Sequence, residues 1–213
     1  MNQFSFKPFY RRNLPHIQPE GATLFLTFRL ANSLPKCVMD QLQTEKVRIE
    51  LELAKMSDIT EREKQIDLAN RRYFGKWDGA LDLATGKKSL SNPDVANMVA
   101  ESLRHRDGKV YDLISYTIMP NHVHVIFTPV EEQENKYYSL SRIMHSLKQH
   151  TARQANLILG QSGYFWQHEN YDHFIRDNSE FERVIHYVLY NPVKAGLTDA
   201  WTKWQWSYCK YEM

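Results

Sequence analysis

Four β-rich runs and the helical stretches between them fall in the order β-α-β-β-α-β-α, which predicts an α+β fold, a ferredoxin-like sandwich with an antiparallel sheet and helices on one face. Two details sharpen this. Met119-Pro120-Asn121 joins the two middle runs as a hairpin of adjacent strands, and a long charged stretch after Pro35 enlarges the sandwich with a helical insertion after the first strand. At 213 residues the chain is expected to form a single domain over 1–213, with the insertion at about 36–107 and an aromatic C-terminal tail at about 198–213.

Each element has its own local reason. Leu24, Leu26, Phe28 and Leu30 alternate with Thr23, Phe25, Thr27 and Arg29, the period of two that marks the first strand. From Met39 to Arg72 the chain is rich in Glu, Lys and Arg and lacks Gly and Pro, which predicts two helical pieces broken near Ser57 to Thr60. Gly75 to Pro93 carries three glycines and an Asn-Pro and reads as irregular connection, after which Asp94 to His105 resumes a helical pattern. Val110 to Met119 and Asn121 to Thr128 are the second and third strands. Apolar residues from Leu140 to Ile158 make a helical stripe, with Arg142, His145, Ser146, Gln149, Arg153 and Asn156 on the opposite side. A fourth strand is expected near Tyr171 to Ile175. Ser179-Glu180-Phe181-Glu182 reads as a capping box, opening a last helix whose stripe is Phe181, Val184, Ile185, Val188 and Leu189 and which ends at Asn191-Pro192.

Composition excludes several classes. The formal net charge is +2, from 27 basic and 25 acidic residues, too even for a simple polycationic nucleic-acid binder but compatible with a polarised one. Lys136 to Gly160 holds four basic residues and no acidic one, and Lys7 to Arg12 is basic and aromatic, so two segments could face phosphates. No run is long and apolar enough for a membrane span, the N-terminus lacks a secretory signal, and a cytoplasmic protein without a membrane partner is expected. Cys37 and Cys209 form no C-x-x-C pair or disulfide framework. A phosphate loop at Gly79 to Ser89 fails because Leu81 and Lys88 stand where Gly and Ser or Thr are needed.

Chemistry can be placed at two points. In His122-Val123-His124 the strand period points both imidazoles to one face, which fits either a metal pair or two ordinary strand histidines. On the last helix Tyr187 and Asn191 are one turn apart, offering a phenol and an amide together, or else a boundary tyrosine and a helix-ending asparagine.

Five strings in this order carry a resemblance: RRNLPH, YTIMPNHVHVIF, Met144-His145-Ser146-Leu147-Lys148, GYFWQHENYDHFIR, and YVLYNPVKAGL with Trp204-Gln205-Trp206-Ser207 after it. Together they resemble the single-tyrosine HUH transposases, most of all the REP-associated tyrosine transposases, over the N-terminal arm and most of Val110 to Ser207. The stretch between Pro35 and Gly108 is outside the resemblance. It implies the HUH endonuclease form of the sandwich, His122 and His124 as the metal pair, Tyr187 as nucleophile and Asn191 as the residue completing the metal site. Tyr171 is the competing tyrosine, without a ligand partner one turn on. His173 and Arg176 also match the family pattern and are read as site-supporting or DNA-contacting.

The implied activity is a metal-dependent single-stranded DNA endonuclease and strand transferase, forming a 5′-phosphotyrosyl intermediate at or near hairpin-forming repeats. Mixed imidazole and amide ligands suit Mg²⁺ or Mn²⁺. Candidate DNA contacts are Arg11 and Arg12 in the arm, Arg142, Lys148, Gln149 and Arg153 on the helix, and His173 with Arg176, with the aromatic tail from Trp201 to Tyr211 as a further surface. The partner is single-stranded DNA, with the chain a monomer or homodimer. A catalytically silent DNA hairpin-binding protein on the same fold is the alternative, which the complete set of His122, His124, Tyr187 and Asn191 disfavours.

Overall fold

A computed structural model describes residues 10–11, 15–16 and 20–212, the side chains of 10, 11, 15, 16, 63 and 67 excepted. In chain order the elements are β1 (Tyr10–Arg11), β2 (Pro15–His16), β3 (Leu24–Leu30), α1 (Lys36–Ala54), α2 (Ile59–Leu83), α3 (Pro93–His105), β4 (Tyr111–Ile118), β5 (His122–Pro129), β6 (Glu131–Gln133), β7 (Lys136–Tyr137), α4 (Leu140–Ile158), β8 (Trp166–Phe174), α5 (Asn178–Lys194) and β9 (Ser207–Cys209). The chain divides into two compact units, one of residues 1–31 and 89–213 and the other Asn32–Lys88.

The first unit is built on a five-stranded antiparallel sheet in the order β8-β3-β5-β4-β9. With β9 set aside, the strands in chain order lie 4-1-3-2, the ferredoxin-like arrangement that the β-α-β-β-α-β order predicts. One face carries Leu24, Leu26, Phe28 and Leu30 of β3 with Val123, Val125 and Phe127 of β5, all buried, and α3 and α4 cover it with Val95, Val99, Leu103, Leu140, Ile143 and Leu147. Each such side chain contributes roughly 1.5–3 kcal/mol on burial, and a one-residue slip of β5 would turn its apolar set outward, so this core fixes the strand's register.

The opposite face carries the other half of the alternation. Register pairs Thr27 with both Tyr171 and His124, His124 with Thr117, and Thr117 with Ser207, making one polar row across all five strands. Helix α5 lies over this face, where Tyr187 meets His124 and Phe25 edge-on, ring centroids 5.5 and 5.9 Å apart. The helices therefore cover both faces, not the one face that element order alone indicated.

The second unit is a helical hairpin. Leu34, Leu42, Leu81 and Ala84 form its small core, with Val38, Met39, Tyr73, Trp77 and Ala80 packed around them. Asp58 caps α2 by accepting from Glu61 N at 3.0 Å, which sets the predicted helix break. The irregular connection expected from Gly75 is instead helical through Leu83, because contacts of Trp77, Ala80 and Leu81 outweigh the roughly 1 kcal/mol that each of Gly75 and Gly79 costs in a helix. Gly86 has a separate use, since a Cβ there would run into the Ser33 carbonyl oxygen. The compact hairpin is also shorter than the expected insertion at 36–107, as α3 contributes Val95, Val99 and Leu103 to the sheet's core.

Part of the aromatic tail is structural. Trp204 Nε1 donates to Ile118 O and Trp206 Nε1 to Asn97 Oδ1, both at 3.0 Å, and Trp206 belongs to the main core. Strand β9 then extends the sheet beside β4. Among the described residues no helix is long and apolar enough to cross a membrane.

Candidate active site

Strand β5 supplies two imidazoles because Val123, Val125 and Phe127 are committed to the core, leaving His122 and His124 on the α5 side. Both histidines are fully buried, with their Nε2 atoms 3.0 Å apart. The outer nitrogens are held from two directions. His122 Nδ1 lies 2.6 Å from Asn121 Oδ1, an acceptor, so this nitrogen donates and Nε2 is the one turned to His124. His124 Nδ1 lies 2.7 Å from Thr27 Oγ1, a group able to donate or accept. Burial pushes the His124 pKa down to about 3, and the Lys194 ammonium adds to the effect, so the ring is neutral at ordinary pH.

Helix α5 is anchored at both ends. Its N-cap is Asp177, whose carboxylate accepts from Glu180 N at 2.8 Å, so the helix is capped two residues before the predicted Ser179. Glu180 in turn receives His173 Nε2 and Arg176 N, each at 3.0 Å, which ties the first turn to the end of β8. The helix runs past Asn191-Pro192 to Lys194. Proline there removes one N–H near the helix end, while Ala195 N still donates to Asn191 O and Leu197 N to Pro192 O, both at 2.9 Å. Gly196, at φ 69°, closes the end as only a left-handed residue can.

On the sheet-facing side of this helix Tyr187 is half-buried, with its ring edge-on to His124 and Phe25. One turn later Asn191 is buried, and neither Oδ1 nor Nδ2 meets a hydrogen-bond partner among the described residues. An unsatisfied buried amide costs about 1–3 kcal/mol, a cost that a cation or a bound polar group would relieve. Two converging imidazole nitrogens and a desolvated carboxamide are the N and O donors that a divalent cation takes, so the residues present fit one.

The other sequence candidates fall elsewhere. Arg12 lies outside the described residues, and for Arg11 the backbone in β1 is described but not the side chain. Arg142, Gln149 and Arg153 are exposed on α4, over the face opposite the histidines, and Arg142 pairs with Glu132 and lies 5.2 Å from the Tyr138 ring centroid. Lys148 Nζ bonds Gln167 O, His168 O and Asn170 Oδ1 at 3.0, 3.1 and 3.3 Å, a staple between α4 and β8. His173 and Arg176 meet Glu180 as above, and the Arg176 guanidinium stacks on Phe174. Tyr171 lies on the histidine side, edge-on to Phe25. Thr27, Asn121 and Lys194 were not anticipated. Asn121 adjoins the H-x-H in sequence, whereas Thr27 shows only once the β3–β5 register is known.

Residues 87–191 match the family model described as "Transposase IS200 like". The chain is similar to the REP-associated tyrosine transposase of Escherichia coli K12, 21% identical over 140 residues that make up 64% of this chain and 79% of that protein. A Haemophilus influenzae protein whose name places it in the same group is 29% identical over 106 residues, 46% of this chain and 58% of its own length. A solved structure described as "Structure of the REP associates tyrosine transposase bound to a REP hairpin" covers 97% of this chain and 82% of its own, at 15% identity and a TM-score of 0.48. Through residues 87–191 the chain is similar to the IS200-like transposases, and the relatives it matches are named as tyrosine transposases, enzymes that act on DNA.

Proposed function

We propose that this protein nicks and rejoins single-stranded DNA at or near hairpin-forming repeats, with Tyr187 as nucleophile. The observation that carries this reading is the phenol of Tyr187 against His124, one helical turn from the buried, unsatisfied carboxamide of Asn191. Tyr187 Oη attacks the phosphorus, the bond from phosphorus to the 3′ oxygen breaks, and that oxygen leaves as a 3′-hydroxyl carrying the proton. The DNA 5′ phosphate stays esterified to Tyr187. Reversal needs only a 3′-hydroxyl, because a phenol, with pKa near ~10, is a far better leaving group than an alkoxide. The ester bond is conserved through both steps and no nucleotide cofactor is required.

His122, His124 and Asn191 would hold a divalent cation, Mg²⁺ or Mn²⁺, which when bound supplies Lewis-acid polarisation of a non-bridging phosphate oxygen. The residues around it have separate tasks. Asn121 and Thr27 orient the two imidazoles, and Phe25 packs on the Tyr187 ring edge and limits its rotation. Glu180 holds the helix that carries the nucleophile.

The test is a denaturing gel of the protein incubated with Mn²⁺ and single-stranded oligonucleotides covering hairpin-forming inverted repeats, sought by sequencing the DNA that flanks its gene. A denaturant-resistant adduct is expected for the natural chain and none for Tyr187→Phe, whose hairpin binding should persist. Binding without any adduct would favour the silent DNA-binding alternative.

A further inference from the structure

Lys194 stands seven residues beyond Tyr187 on α5, two turns along the same side, and its Nζ lies 6.0 Å from the centroid of the Tyr187 ring. Its place is fixed by the helix end, where Gly196 N donates to Val193 O at 3.0 Å and Leu197 N to Pro192 O at 2.9 Å. Lys194 is exposed, so its ammonium can meet a ligand arriving at Tyr187 from solvent. Among the described residues, Arg183 donates to Ser179 Oγ at 2.7 Å and Arg176 lies against the Phe174 ring.

An ammonium over an aromatic face is attracted by the ring quadrupole, and the attraction grows as negative charge enters the ring from a phenolate oxygen. Attack on a phosphodiester adds negative charge where the nucleophile meets the phosphorus, so a cation placed there favours the transition state over the ground state. We propose that Lys194 is a catalytic residue of the transfer reaction, its ammonium contacting the scissile phosphate and offsetting the charge that develops between Tyr187 Oη and phosphorus. The same contact serves the reverse step, in which Tyr187 leaves as the anion. This rests on the reading of Tyr187 as nucleophile. It differs from a helix-end lysine that merely offsets the macrodipole, since that role would show in stability and not in the rate of the bound complex.

The experiment compares the natural chain, Lys194→Gln, Lys194→Arg and Tyr187→Phe in single-turnover adduct formation with the flanking-repeat oligonucleotides and Mn²⁺, alongside DNA affinity and thermal melting. For Lys194→Gln at saturating DNA the rate constant should fall ~100-fold, with affinity within roughly fivefold and melting unchanged, and Lys194→Arg should recover most of the rate. A Lys194→Gln rate within about threefold of the natural chain, with Tyr187→Phe inert, overturns the role of Lys194 and leaves the nucleophile standing. Parallel loss of rate and melting temperature in both Lys194 variants also overturns it, as a helix-end effect. An adduct from Tyr187→Phe, or none from the natural chain, removes the proposed function and this inference with it.

Discussion

The hydroxyl of Thr27 lies 2.7 Å from Nδ1 of His124, and the same ring turns its Nε2 to that of His122 at 3.0 Å. One side chain of β3 thus decides which nitrogen of a β5 histidine faces the site. Thr27→Val keeps the shape and removes the partner, leaving Nδ1 unsatisfied in the buried interior. Mn²⁺ affinity should drop 10- to 100-fold and the fold should lose about 1–3 kcal/mol. Calorimetric titration with Mn²⁺ and a denaturant melt measure the two; unchanged Mn²⁺ affinity would remove Thr27 from the site.

His124 gives the metal-free protein a defined acid sensitivity. Its folded pKa, about 3, is below the ordinary 6.5, so the unfolded chain binds a proton that the folded chain refuses between those values. The contribution is fully present above pH ~6.5 and is lost as pH falls toward ~3, amounting to about 2–3 kcal/mol by pH ~4.5. Urea melts from pH 7 to 4.5 should show a shallower decline for His124→Gln than for the natural chain. Equal slopes would contradict the burial of a neutral ring.

Asn191 sets function against stability. Its carboxamide is buried without a hydrogen-bond partner among the described residues, so Asn191→Leu should leave metal-free stability unchanged or raise it by up to about 2 kcal/mol. The same change should weaken Mn²⁺ binding and slow adduct formation. His122→Ala and His124→Ala should abolish the adduct, as should EDTA. A loss of stability in Asn191→Leu would show that the amide has a structural partner.

Arg142 and Arg153 make a different kind of prediction, since α4 covers the sheet face away from Tyr187. If DNA crosses this helix, replacing both with Gln weakens binding to all sequences alike and lowers the log-affinity against log-salt slope by roughly 1.4, at ~0.7 per phosphate. The single-turnover rate at saturating DNA should be unaffected. An unchanged slope assigns these arginines to a solvated face, consistent with the pairing of Arg142 to Glu132.

What the sequence made legible followed local rules. The alternation in HVHVIF placed both histidines on one face because Val123, Val125 and Phe127 had to be buried, and the helical stripe of α4 agrees with its buried residues Leu140, Ile143, Met144, Leu147, Thr151 and Ala155. Errors arose where tertiary contacts overrode local propensity. Trp77 and Leu81 carry α2 through two glycines, and the closing bonds around Gly196 carry α5 past Pro192. The pairing of Thr27 with His124 was invisible because strand register joins residues 97 positions apart. The spacing of Asn191 from Tyr187 left a helix-ending asparagine open and only the resemblance implied a ligand role, while its unsatisfied burial is a property of the packed helix alone.

The central claim, that Tyr187 becomes covalently bound to DNA, is tested most directly by the mass of the trapped adduct. The natural chain is incubated with Mn²⁺ and flanking-repeat DNA, digested with protease and nuclease, and its peptides are mapped by mass spectrometry. A nucleotide phosphate on the peptide containing Tyr187 is predicted, together with a free 3′-hydroxyl on the released strand. The same mass on the peptide containing Tyr171, or a cleaved strand with no modified peptide, would contradict the account.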